Sequence, residues 1–321
     1  MGKEHVGHKE LAQFAEERVN LPKEKAKGYR AQAKGLREKL STYVSEHPDF
    51  TLKKMLLSGS LAKGTALRTL NDIDVACYIS GSDVPRDISE LMNYLADRLR
   101  TAYPNFSYDQ VQPKTYCVTV SFRGSGLDVD VVPILYSGDP DWYGDLVSQE
   151  DGSFLKTCIP RHLEFIRTRK QKQETHFAQV IRLAKYWVKH MKSENANFRF
   201  KSFMVELIMA KLLDEGKVFS DYVEGLQHFF TYLAKSNLSE MISFEDYYPK
   251  SKLPVFSEPI KVIDPVNPVN NAAKLYTTYQ AELIGDAALD AGDAIDAALA
   301  ATTKERTIYY WQKVFGSTFN I

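Results

Sequence analysis

The sequence predicts an α+β fold: a mixed β-sheet with helices in residues 1–160, then a helical lobe over residues 161–321. Three observations carry this. Apolar and polar residues alternate with the period of a strand around residues 73–79 and 116–131. Turn formers such as Arg123-Gly124-Ser125-Gly126 separate the strand-like runs. From about Pro160 the spacing changes to the three- and four-residue recurrence of helices. With 321 residues, of which 44% are hydrophobic, the chain has material for one large or two modest domains with a proper core.

Taken in order, residues 9–19 fit a short helix ended by Asn20-Leu21-Pro22. A longer helix starts at Pro22, where a first helical residue tolerates proline. Its apolar face is Ala26, Tyr29, Ala33, Leu36, Leu40 and Tyr43, and it stops at His47-Pro48. The stretch from Leu56 to Ser80 organises the rest. Met55, Leu56 and Leu57 end a strand, and Gly59-Ser60 makes a tight turn whose backbone can approach a ligand because Gly59 has no Cβ. A short helix and a second strand follow. On that strand Asp72 and Asp74 sit two apart and so share one face. Two acids on a sheet face need a reason, and a divalent cation held by oxygen ligands is the commonest one.

Asp87 to Tyr103 reads as an amphipathic helix. Beyond it two strands form a hairpin about residues 123–126, and the second offers Asp128 and Asp130 as further acids. Residues two apart on a strand are separated by about 6.6 Å, so one of the two suffices to complete a metal site. The basic run Arg161, Arg167, Arg169, Lys170 and Lys172 is read as a solvated helix face. Phe177–Met191 and Ser202–Leu213 are apolar helices, with Ser202 a candidate N-cap. An aromatic-rich core helix follows Asp221. A proline-rich stretch over residues 249–268 comes next, and the alanine-rich residues 285–301 read as an exposed acidic helix interrupted at Gly292.

Composition narrows the function. Lysine plus arginine equals aspartate plus glutamate, 41 each, so no overall field draws the chain to nucleic acid or an anionic membrane, and strong non-specific nucleic-acid binding is not expected. Cys77, Cys117 and Cys158 are far apart with no C-x-x-C spacing, which fits a reducing cytoplasm better than a disulfide frame or zinc site. No secretory leader, membrane span or myristoylation pattern is expected.

The Gly59-Ser60 turn joined to Asp72-Ile73-Asp74 resembles the signature of polymerase-β-like nucleotidyltransferases. With Asp130 before Val131-Val132-Pro133, and with RLAKYWVKH, KSFMVELI and IDPVNPVNN in the helical half, the chain resembles the bacterial cGAS/DncV-like nucleotidyltransferases along nearly its whole length. It looks closest to the HORMA-associated clades C and D of anti-phage CBASS operons. The resemblance implies a bilobed enzyme with its active site in the cleft. Asp72, Asp74 and Asp130 would hold two Mg²⁺ ions, Gly59 and Ser60 the phosphates, and Lys185 and Ser202 the donor triphosphate. It also implies ATP as substrate, cyclic tri-AMP as product, and a HORMA-domain partner regulated by an AAA+ ATPase. Asp128 would be an acid at the rim or one that supports the ligands from behind.

Other readings rest on the same residues. A cyclic dinucleotide or linear oligonucleotide synthase would use the same site. A relative that extends a nucleic acid or modifies a small molecule, such as a tRNA-end nucleotidyltransferase, should carry a broad basic footprint. An inactive nucleotide-binding module would keep three costly carboxylates without use. Serine-hydrolase chemistry lacks its G-x-S-x-G elbow.

Overall fold

The computed structural model describes residues 5–47, 51–148 and 152–321. Pro48 of the expected helix stop and the first four residues lie outside them. The chain divides into two compact units, Pro22–Glu164 and a second that joins the residues up to Leu21 to Phe165–Ile321. This differs from a division at residue 160, because the start of the chain belongs with the helical unit. α1 (His8–Phe14) and the π-helical turn Ala15–Val19 bury Leu11, Phe14, Ala15 and Val19. Phe14 packs on Tyr186, Phe315 and Phe319, and Asn20 exchanges hydrogen bonds with Gln179. These are contacts between residues far apart in sequence, which local periodicity does not carry.

In the core unit α2 (Lys23–Glu46) precedes β1 (Leu52–Leu57), α3 (Gly59–Lys63) and β2 (Asp72–Ile79). α4 (Ile88–Ala102) follows, with Asp87 accepting the Glu90 amide as its N-cap. The remaining strands are β3 (Val111–Pro113), β4 (Val118–Phe122), β5 (Leu127–Leu135), β6 (Gly144–Val147) and β7 (Phe154–Thr157). The sheet order is β1-β2-β5-β4-β3, with β6 joined to β5 and β7. β2 and β5 are parallel, and every other pairing in this sheet among the described residues is antiparallel.

Alternation decides which side faces the core. Ile73, Val75, Cys77 and Ile79 of β2 are in register with Val129, Val131, Pro133 and Leu135 of β5, and this face packs against α2 and α4. The opposite face is apolar only at the strands' far end, where Ala76, Tyr78 and Ile134 form a core with Leu56, Tyr136 and Trp142. At the near end it is acidic.

The unit boundary falls within α5 (Ile159–Lys172). The basic run on this helix is not a solvated face throughout. Arg161 pairs with Asp141, and Arg169, 3% exposed, is clamped by Asp214 and Asp246. The two carboxylates offset the cost of burying a guanidinium that deep.

In the helical unit, α6 (Glu174–Glu194) puts Trp187 at the centre of a core made by the edges of Phe198, Phe200, Phe229 and Phe230. α7 (Ser202–Asp214) and α8 (Tyr222–Ser236) surround it. The proline-rich stretch ends in a short antiparallel pair, β8 (Ile263–Asp264) and β9 (Asn267–Asn271). α9 (Thr278–Ala300) corrects the expectation of an exposed, broken helix: it runs unbroken through Gly292 and buries Ala281, Ile284, Gly285, Ala288, Ala291, Ala294, Ile295 and Ala298. Small side chains on that face let α8 approach closely, since a Cβ on Gly285 would lie 2.6 Å from Asn237 Oδ1. Asp286, Asp290, Asp293 and Asp296 point to solvent. α10 (Lys304–Phe315) completes the unit. Among the described residues no helix is long and apolar enough to cross a membrane.

Candidate active site

The turn after β1 is fixed against β2. Ser58 N–H donates to the Asp74 carbonyl at 2.8 Å, and Gly59 takes φ +63° to open α3. A Cβ on Gly59 would lie 1.9 Å from Asp74 Oδ2, so only glycine lets the turn and the carboxylate share this space. Ser60 follows, half-buried.

Parallel register places Asp72 opposite Asp128 and Asp74 opposite Asp130. In-register residues of a parallel pair point to the same side, so four carboxylates form a block on one face of two strands about 4.8 Å apart. Asp72 and Asp128 are exposed, whereas Asp74 and Asp130 are half-buried. Burial, then the charges of Asp72 and Asp130, push the Asp74 carboxyl up to about 6, against a downward pull from Lys63. Burial, then Asp130, raises Asp72 as well.

β4 orients two of the acids. Thr119 is in register with Asp130 and donates to its Oδ1 at 2.7 Å; Ser121 is in register with Asp128 and donates to its Oδ1 at 2.6 Å. The Cys117 thiol, raised to about 12 by burial and then by Asp130, is neutral beside them. Sequence reading missed Thr119, Ser121 and Lys63. The alternation of Val118 and Val120 with Thr119 and Ser121 was the available signal, but it names partners only once the hairpin register is known.

This donor set fits a hard divalent cation: several carboxylates, all oxygen, on one face, with mutual repulsion that a cation would relieve. The carboxylates are spread along the strands in this conformation, and among the described residues no three acidic, histidine or cysteine groups are drawn in around one point.

In the helical unit, Lys185 is 5% exposed and its Nζ donates to Glu206 Oε1 at 2.6 Å. Glu206 lies one turn beyond Ser202 on α7, so the two residues share a helix face. Ser202 is exposed and is the first helical residue; the N-cap is Lys201, so the expected capping role of Ser202 is not what the structure has.

No family model matches the chain. It is 66% identical over 319 residues to the cyclic AMP-AMP-AMP synthase of Escherichia coli (strain MS 115-1), with 99% of each chain covered. It is 32% identical over 308 residues to the CBASS oligonucleotide cyclase CdnC of Escherichia coli (strain KTE188), with 94% of each covered. A solved structure of E. coli MS115-1 CdnC with ATP superposes with TM-score 0.96 at 66% identity, covering 99% of this chain and 100% of that one. The same protein in complex with HORMA-deltaN gives 0.95 at 65% identity, covering 99% of each.

Proposed function

The chain belongs to the CBASS oligonucleotide cyclases of the cGAS/DncV-like nucleotidyltransferase family, and from that membership we propose that it converts ATP to cyclic AMP-AMP-AMP and pyrophosphate. The observation that carries the reading is the carboxylate block on β2 and β5 with the Gly59 turn packed against Asp74. A base-rich hydrolytic site or a broad basic face would argue otherwise; here acids and a close-approaching backbone stand together.

Asp72, Asp74 and Asp130 are the proposed ligands of two Mg²⁺ ions. When bound, such ions supply positive charge that acidifies a ribose hydroxyl and stabilises the transferring phosphoryl group. Asp130, oriented by Thr119, is the acid proposed for the acceptor side. Gly59 and Ser60 are the proposed phosphate contacts, through backbone N–H and hydroxyl donors. Lys185 and Ser202 are proposed contacts of the donor triphosphate. In each step an acceptor hydroxyl forms a bond to the donor α-phosphorus, the bond to pyrophosphate breaks, and the hydroxyl proton is released. Three such steps, the last closing the ring, turn three ATP into one cyclic trimer and three pyrophosphates.

A HORMA-domain partner, its regulation by an AAA+ ATPase, and a cytoplasmic setting are part of the same proposal; the CdnC complex with HORMA-deltaN supports the first. The test is to incubate the full chain with labelled ATP and Mg²⁺, alone and with the purified HORMA-domain partner, and to treat the products with phosphatase. A resistant species with the mass of cyclic AMP-AMP-AMP is expected. A resistant cyclic dimer, or only phosphatase-sensitive linear products, would overturn the product assignment.

A further inference from the structure

β2 and β5 end at Ile79 and Leu135, five residues beyond Asp74 and Asp130, which at ~3.3 Å per residue is roughly 17 Å from the carboxylates. At that end lies a separate cleft of about 390 Å³, lined by Lys53, Ser80, Gly81, Arg86, Ser137 and Gly138. Its volume lies within the range of small-molecule sites.

Two cations face the cleft. Lys53 is the extra residue of a β-bulge: Leu52 pairs with Ile79 and Lys54 with Tyr78, so one residue of β1 has no counterpart on β2. Bulges of this kind re-aim a side chain beside functional sites. Arg86 comes from the loop between β2 and α4. Among the described residues neither cation has a carboxylate partner. Of the acids of the same loop, Asp87 accepts the Glu90 amide, while Asp83 lies beside Gly81 through Oδ1 and is 3.5 Å from the Tyr94 hydroxyl through Oδ2. Ser80 and Ser137 add hydroxyl donors, and open space lies where Gly138 has no side chain.

We propose that this cleft is a second ligand site, for a phosphate-bearing small molecule. An arginine fork, a lysine point charge and hydroxyl donors are the groups that recognise a phosphate or pyrophosphate group. The site lies on the other end of the strands from the carboxylates and does not depend on the reaction assigned to them.

The test uses the full chain in EDTA, so that no divalent cation can carry a phosphate to the acids. Inorganic pyrophosphate and ADP are titrated separately by calorimetry. One site per chain is expected, weakening as salt is raised. Lys53→Glu/Arg86→Glu should weaken binding at least about tenfold, a difference of ~1.4 kcal/mol. Lys53→Gln/Arg86→Gln should weaken it in the same direction, and Lys53→Arg/Arg86→Lys and Asp74→Asn should leave it. Both wild-type side chains are exposed, so melting curves should be unchanged. Tighter binding of ADP than of pyrophosphate would identify a nucleotide ligand; equal affinity would identify the bare phosphate group. No binding of either probe, binding that survives charge reversal, or binding lost in Asp74→Asn would overturn the proposal.

Discussion

Gly59 and Asp74 occupy a space that admits only one side chain: a Cβ on Gly59 would stand 1.9 Å from Asp74 Oδ2. Gly59→Ala must therefore displace either the turn or the carboxylate, and its φ of +63° adds backbone strain of about 1–3 kcal/mol. We expect a folded variant with synthesis reduced at least about a hundredfold, the scale of an ångström-sized misplacement. Product formation from labelled ATP, with a melting curve as control, checks it.

Asp74 makes the protein less stable at neutral pH. Its folded value of about 6 exceeds the ordinary 3.8, so between these pH values the folded chain holds a proton that the unfolded chain has released. Stability then falls as pH rises through that window, and the full penalty applies above about 6. In EDTA at pH 7, Asp74→Asn should be more stable than wild type by on the order of 3 kcal/mol, at ~1.4 kcal/mol for each tenfold change in proton affinity. The difference should vanish near pH 4. Mg²⁺ should raise the melting temperature of wild type and leave that of Asp74→Asn unmoved.

Thr119 donates to Asp130, one of the proposed metal ligands. Thr119→Val keeps the shape but removes the 2.7 Å hydrogen bond to Oδ1. Loss of a partner that orients a metal ligand lowers metal affinity by about 10–100-fold. Mn²⁺ binding followed by electron paramagnetic resonance should show this loss, with the KM for ATP at saturating metal little changed. Thr119→Ser, which keeps the hydroxyl, should restore affinity; a purely structural role would not be rescued in this way.

Lys185 and Glu206 are both nearly fully buried as an ion pair. Glu206→Leu alone takes the carboxylate away from a buried ammonium and should cost about 3–5 kcal/mol, whereas Lys185→Met/Glu206→Leu should cost less in denaturant titrations. The folded double variant also reports on phosphate contact: the proposed role of Lys185 requires its KM for ATP to rise. An unchanged KM would restrict Lys185 to holding α6 against α7.

The carboxylate face was legible in the sequence because a strand's two-residue period puts Asp72 and Asp74 on one side whatever surrounds them. The Gly59 turn was legible for a similarly local reason. Register was not: that Thr119 meets Asp130 depends on how β4 and β5 align. Arg169 read as solvated because its partners Asp214 and Asp246 lie 45 and 77 residues away. α9 read as exposed because alanine and glycine contribute little to a hydrophobic pattern, although they are what permits close helix packing. Phe14 joins the helical unit through Phe315 and Phe319, at the other end of the chain.

In the proposed site Asp72, Asp74 and Asp130 together hold the ions that act on ATP. A Mn²⁺ titration of the full chain, with a non-hydrolysable ATP analogue present and followed by electron paramagnetic resonance, probes this without relying on turnover. Two ions per chain are expected for the wild type, with binding weakened in each of Asp72→Asn, Asp74→Asn and Asp130→Asn. Wild-type stoichiometry and affinity in all three variants would refute the assignment.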